Sequence, residues 1–245
     1  MKNATMVGFA AAVTVTMVVL STDPPEGATR LVGPEGATAW RSASDGSPHG
    51  WTYADGVLEV NRPAGDIVTA ERYEDVFLHL EWRSPEGGEG QQAANSGVKI
   101  MRRYEVQILG TLVGEEPKAN GAGAIYAHRP ASKNVTRGPG EWQTYDIWFR
   151  APRWDGDTKT ENARMSVRWN GVLVHDDVEI PRGTGGSPLP EKPGPDSILL
   201  QAHSSKAKGE VAFRNVWTLP LAKAPDPRQP VEAPPSDAAA GEGTE

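Results

Sequence analysis

Cysteine is absent from this 245-residue chain, which excludes disulfides, thiol nucleophiles and a lipid-modified cysteine, and leaves the compartment undecided. A basic excess is missing too. The 25 Lys and Arg against 32 Asp and Glu leave a net charge of -7, the reverse of the footprint that nucleic acid requires. No nucleic-acid partner is expected. Beyond the N-terminus there is no further long apolar run, so membrane contact is expected only through that terminus. No internal repeat and no long helical periodicity appear. Nor is there a G-x-S-x-G elbow, an H-E-x-x-H pair or an EF-hand loop. The GAIY run at 123–126 is no phosphate loop, because neither Lys nor a helix follows it. Nucleotide and organic cofactors are not expected.

What is present is strand chemistry. Residues 1–22 open with Lys2 and run apolar to Leu20, which suits a signal peptide or an uncleaved N-terminal anchor and a secreted or periplasmic, cell-envelope location. Residues 23–39 are rich in turn formers and are expected to be a linker. From residue 40 to 219 short alternating segments recur between Gly, Pro and Asn turns. At 51–60 a hairpin turns on Asp55-Gly56, and at 163–175 another turns on Asn170-Gly171. In the segment 74–83, Leu78, Leu80 and Trp82 share one face, with Phe77, His79, Glu81 and Arg83 on the other. Residues 220–245 hold Pro, Ala, Glu and Gly with almost no large apolar side chain and are expected to be disordered. Many short strands separated by turns predict an all-β domain, an antiparallel two-sheet β-sandwich or jelly roll.

The stretch 95–109, NSGVKIMRRYEVQIL, organises the rest. Asn95-Ser96-Gly97 is expected to turn. From Tyr104 the alternation puts Tyr104, Val106 and Ile108 on one face and Glu105 and Gln107 on the other. A carboxylate and an amide side by side on a strand whose other face is apolar suit either a solvated face or an open polar binding surface. Glu81 with Arg83, Gln201 with His203, and Arg214 on the last strand are candidates to converge there, offering carboxylate, amide, imidazole and guanidinium to sugar hydroxyls. Glu105, His128 and His203 are also candidate ligands for a divalent metal ion. His49, His79 and His175 read as surface histidines, and Trp142 and Trp148 as sheet packing.

Eight motifs occur in order: LEWR at 80–83, NSGV at 95–98, YEVQIL at 104–109, GAIY at 123–126, PGEWQTYDI at 139–147, NGVLV at 170–174, LLQAH at 199–203 and FRNVW at 213–217. Together they resemble the 3-keto-disaccharide hydrolase domain family. That resemblance implies a concanavalin A-like jelly roll. It also implies cleavage of glycosides oxidised at C3, by C2-proton abstraction, elimination and hydration, net hydrolysis of a carbohydrate such as an oxidised disaccharide. On the matching positions it makes Glu105, His203 and Arg214 the catalytic candidates, with Glu105 and His203 as metal ligands. Glu81, Arg83, Asn95, Gln107, Tyr126, His128 and Gln201 become the substrate-binding candidates. Family members usually carry Gly after the LLQAH histidine, whereas Ser204-Ser205 follow here, which is expected to alter the rim of the site. The alternative is a non-catalytic carbohydrate-binding module of the same fold.

Overall fold

The computed structural model describes residues 24–185 and 189–229. In chain order the strands are β1 (Thr29–Val32), β2 (Trp40–Ser42), β3 (Thr52–Ala54), β4 (Val57–Glu59), β5 (Ile67–Thr69), β6 (Val76–Arg83), β7 (Ser96–Ile100) and β8 (Tyr104–Ile108). They continue as β9 (Gln143–Arg150), β10 (Arg153–Asp155), β11 (Thr158–Glu161), β12 (Ala163–Trp169), β13 (Val172–Ile180), β14 (Leu199–Leu200) and β15 (Ala212–Pro220). An eight-stranded sheet runs β13-β12-β9-β6-β15-β4-β3, with β1 also on β15, and a five-stranded sheet runs β2-β5-β14-β7-β8. All registered pairings in both are antiparallel. The fold is an antiparallel two-sheet β-sandwich of jelly-roll type.

Alternation decides what each sheet buries. Leu78, Leu80 and Trp82 of β6 and Tyr145, Ile147 and Phe149 of β9 point inward from the large sheet. Val98 and Ile100 of β7 and Tyr104, Val106 and Ile108 of β8 meet them from the small one. The Tyr104 and Phe149 rings lie 5.0 Å apart across this interface. Side chains of odd and even parity therefore fall on opposite sides of each sheet, and the outer face of each sheet is turned away from the other's.

Three expectations need correction. The linker read at 23–39 contains β1, which pairs with β15, and Trp40 Nε1 donates to the Leu31 carbonyl at 3.0 Å. The folded region therefore begins before residue 40. At the other end, residues 221–229 are packed rather than loose. Leu221 and Ala224 cover Phe77, Trp148, Trp217 and Leu219 on the outer face of the large sheet, and Trp148 Nε1 donates to the Pro225 carbonyl at 2.7 Å. Two apolar residues in a Pro-rich run suffice because the sheet offers them an aromatic bed. Lastly, Ser96 and Gly97 do not turn. They belong to β7, which forms a hairpin with β8 around Met101 and Arg102, both at positive φ. Neither is the Asn or Gly that normally marks such a turn, so the hairpin has no local signature. The signal or anchor read at 1–22 and the tail beyond 229 lie outside the described residues. Among the described residues no helix is long and apolar enough to cross a membrane.

Candidate functional site

The outer face of the small sheet carries the polar row. Register places Lys99 opposite Glu105 and Gly97 opposite Gln107 on the β7–β8 pair. Leu199 stands opposite Lys99, and Gln201 N–H donates to the Gly97 carbonyl at 3.0 Å. Parity then gives Glu105, Gln107, Lys99 and Gln201 one common face, and His203 follows on the same run. Asp66 joins at the far side, where its Oδ1 accepts the Ala202 N–H at 2.8 Å.

Glu105 sits at the centre and is only 3% exposed. Lys99 Nζ lies 3.4 Å from its Oε2. Its backbone N–H donates to Thr184 Oγ1 at 2.8 Å, and its carbonyl accepts the Tyr126 N–H at 3.0 Å. Gln107 lies alongside; with its amide nitrogen turned toward Glu105 it donates to Oε1 at 3.1 Å and to the Ser96 carbonyl at 3.2 Å. Two glycines bracket the carboxylate. A methyl group on Gly97 would come within 2.6 Å of Oε1, and one on Gly185 within 2.5 Å of Oε2. Burial pushes the Glu105 carboxyl above the usual carboxylate range, while Lys99, and more weakly His203, pull the other way. The result is a desolvated carboxylate beside a cation, which is the environment that tunes an acid toward general-base work.

Several sequence-read candidates meet here. Asn95 is buried next to Gln107, 3.3 Å from its amide, and Asn95 Nδ2 donates to the Gln91 carbonyl at 3.0 Å. His203 is exposed on the rim, its Nδ1 near the Ser204 carbonyl at 3.1 Å. Tyr126 and His128 line a neighbouring pocket with Arg182 and Thr184.

Glu81, Arg83 and Arg214 do not join them, and the expected convergence is corrected. They lie on the outer face of the large sheet, on the other side of the core. Arg214 Nε holds Glu81 Oε2 at 2.6 Å, and Asn215 Nδ2 donates to Glu81 Oε1 at 3.0 Å. The Arg214 and Arg83 guanidinium carbons stand 4.1 and 4.8 Å from the Trp142 ring centre. The reason is parity: Phe213 and Trp82 fill the core, so their chain neighbours must face outward. Arg214 therefore neutralises buried Glu81 and cannot reach a substrate at Glu105. His79 and His175 are also not surface residues. His79 Nδ1 pairs with Asp146 Oδ1 at 2.6 Å under Trp217, and His175 Nε2–H donates to the Gly123 carbonyl at 2.8 Å.

A divalent ion at Glu105 finds a poor donor set. Among the described residues no group of three His, Asp or Glu is arranged to hold a metal, and the Lys99 ammonium takes the position beside Oε2 where a cation would bind. Catalytic metal sites ordinarily use three protein ligands; His128 lies in the neighbouring cavity with its Nε2–H on the Glu179 carbonyl, which leaves Glu105 and His203.

Lys99 is the residue that strand-by-strand reading missed. Its signal was the hairpin: once β7 pairs with β8, the parity that exposes Glu105 exposes Lys99 opposite it.

Fold and site together define a jelly-roll β-sandwich whose smaller sheet carries a buried carboxylate on its outer face. The chain belongs to the 3-keto-alpha-glucoside-1,2-lyase-like domain family, whose profile matches residues 27–219. It is similar to a candidate glycosyl hydrolase of Parabacteroides distasonis, at 30% identity over 88% of this chain and 94% of that one, with a TM-score of 0.75. A second candidate glycosyl hydrolase of the same organism shares 24% identity over 78% and 98% of the two chains with a TM-score of 0.54, a likeness of fold. No curated protein sequence matches the chain at a significant level.

Proposed function

We propose that the chain cleaves 3-keto-glycosides by elimination, with Glu105 as the base. The observation that carries this reading is the buried Glu105 carboxylate paired with half-buried Lys99 on the outer face of the small sheet, in a chain of a family named for that reaction. A ketone at C3 acidifies the C2 proton. Glu105 takes that proton and becomes neutral. The C2–H electron pair moves into the enolate, leaving negative charge on the C3 oxygen, next to a Lys99 ammonium that has just lost its counter-ion. The pair thus starts and ends with one positive and one negative charge, so little reorganisation is needed as charge moves. The enolate then collapses, the C1–O bond breaks, and exposed His203 is the nearby group able to protonate the departing oxygen. Water adding across C1=C2 completes net hydrolysis. Gln107, with its amide nitrogen toward Glu105, keeps a carboxylate oxygen aimed. Gly97 and Gly185 stand against Oε1 and Oε2, and the face of the sheet that carries His203 and Gln201 is the side from which substrate approaches.

A carbohydrate-binding module without catalysis is the rival. It would require open aromatic platforms, and Trp142 and Trp148 are only 7% and 6% exposed. The test is release of nitrophenol from a 4-nitrophenyl 3-keto-glucoside by the purified chain, by Glu105→Gln and by wild type with EDTA. Elimination at Glu105 predicts release that falls about 10²–10⁴-fold in Glu105→Gln and survives EDTA. Loss with EDTA would reinstate a metal. No release from folded wild type, with or without added divalent metal, would sink the enzyme reading in favour of the binding module.

A further inference from the structure

Beside Glu105, across the free edge of β8, lies a cavity of about 300 Å³ whose lining includes Tyr126, His128, Arg182, Gly183, Thr184 and Gly185. Three of these six touch Glu105: Tyr126 and Thr184 through its backbone, and Gly185 against its Oε2. The cavity therefore adjoins the strand that carries the proposed base, across its free edge. Its fixed charge is of one sign. No Asp or Glu lines it, while Arg182 does, with the His128 imidazole alongside. The pocket lined by Arg150, Lys159, Arg164, Glu161 and Glu179 instead sets carboxylates among its cations. Arg182 is exposed and has no hydrogen-bond or ion-pair partner among the described residues. His128 is oriented by its Nε2–H, which donates to the Glu179 carbonyl at 3.0 Å. In a chain with a net charge of -7, a guanidinium left unpaired beside a phenol, an imidazole and a hydroxyl calls for an oxyanion. The planar fork of Arg matches carboxylate, sulfate or phosphate in a two-point contact.

We infer that this cavity binds an oxyanion carried by the substrate, so that the chain prefers acidic 3-keto-glycosides. The inference rests on the elimination reading for its substrate, and the Arg182–His128 cavity is the part it adds. The acidic group sits either on the sugar, as a uronate carboxylate, or on the leaving group. The ligand chemistry is the same in both.

Three substrates separate the sources: 4-nitrophenyl 3-keto-glucoside, its 3-keto-glucuronide counterpart, and a 3-keto-glucoside with a carboxylated nitrophenyl aglycone. The expected result is a kcat/KM about tenfold or more higher for one of the two acidic substrates than for the neutral one. Arg182→Ala should bring that ratio toward one, and Arg182→Lys should retain part of it. Equal kcat/KM on all three, or a preference untouched by Arg182→Ala, would overturn the inference while leaving the elimination reading standing. An NMR titration of wild type and Arg182→Ala with methyl glucuronide and methyl glucoside needs no turnover. If no substrate is cleaved, the elimination reading fails and this titration decides the cavity. Tighter glucuronide binding that disappears in Arg182→Ala supports it, and equal binding of the two sugars removes it.

Discussion

Replacing Gly97 by Ala tests whether the position of the Glu105 carboxylate matters, without touching a charged group. Gly97 lies within β7, outside the left-handed backbone region, so its backbone accepts a side chain. The added methyl would stand 2.6 Å from Glu105 Oε1 and 3.2 Å from Cδ and Cγ. Comfortable contacts of this kind are about 3.5 Å, so the carboxylate must retreat by nearly 1 Å. It cannot retreat freely, because Gly185 backs Oε2 and Lys99 pairs with it. Overpacking of this kind costs about 1–3 kcal/mol of stability. A displacement of about 1 Å at a reacting group costs on the order of 10²-fold in rate. The assay pairs nitrophenol release from the 3-keto-glucoside with urea denaturation. The expected variant is folded, modestly destabilised and about a hundredfold slower in kcat/KM. Wild-type activity in a variant of unchanged stability would refute the reasoning, because the carboxylate would then either not be held against Gly97 or not set the rate.

Other consequences follow from titration and packing. Burial lowers the His175 pKa from 6.5 to about 4, so this imidazole is neutral when folded and supports stability above pH 6.5. That support, about 3 kcal/mol by linkage, is lost as pH falls toward 4. His175→Gln should flatten this acid limb in urea denaturation run between pH 7 and 4, and an unchanged limb would count against the burial argument. For Glu105 the sign is opposite: its folded pKa is raised, mainly by burial, so its contribution is present at low pH and lost as pH rises through the folded value. Glu105→Gln should therefore gain stability relative to wild type between pH 4 and pH 7, and a relative loss over that range would contradict the raised pKa. Deleting residues 221–245 removes the Trp148–Pro225 bond and the Arg168 contacts to the Pro227 and Gln229 carbonyls, and uncovers Phe77 and Trp217. It should cost more than about 2 kcal/mol and increase dye binding to apolar surface. A melting curve identical to wild type would show that the segment does not stay docked.

Local sequence determined which residues form strands and which side of each strand is apolar. A period of two is set by the backbone itself, so Leu78-Leu80-Trp82 and Tyr104-Val106-Ile108 could be assigned to a core without knowing their partners. The Asn170-Gly171 turn was equally local. Glu105 and Gln107 were found because they share one face of a strand within three residues, and Asn95 through the family resemblance. Tertiary structure alone decided which polar faces belong together. Glu81, Arg83 and Arg214 alternate as regularly as Glu105 and Gln107, and nothing in their spacing says that β6 and β15 lie in the other sheet. Strand order depends on pairings between residues more than a hundred positions apart, such as Arg214 with Glu81. The same non-locality hid Lys99, whose partner appears only when a turn without Asn or Gly closes the β7–β8 hairpin. It hid the burial of His79 and His175 under neighbouring strands, and the pairing of β1 with β15. It also hid Arg182, a cation in a loop until the fold sets it in one cavity with Tyr126 and His128. Side-chain parity is a property of one strand, but a binding site is a property of the strands that happen to lie next to each other.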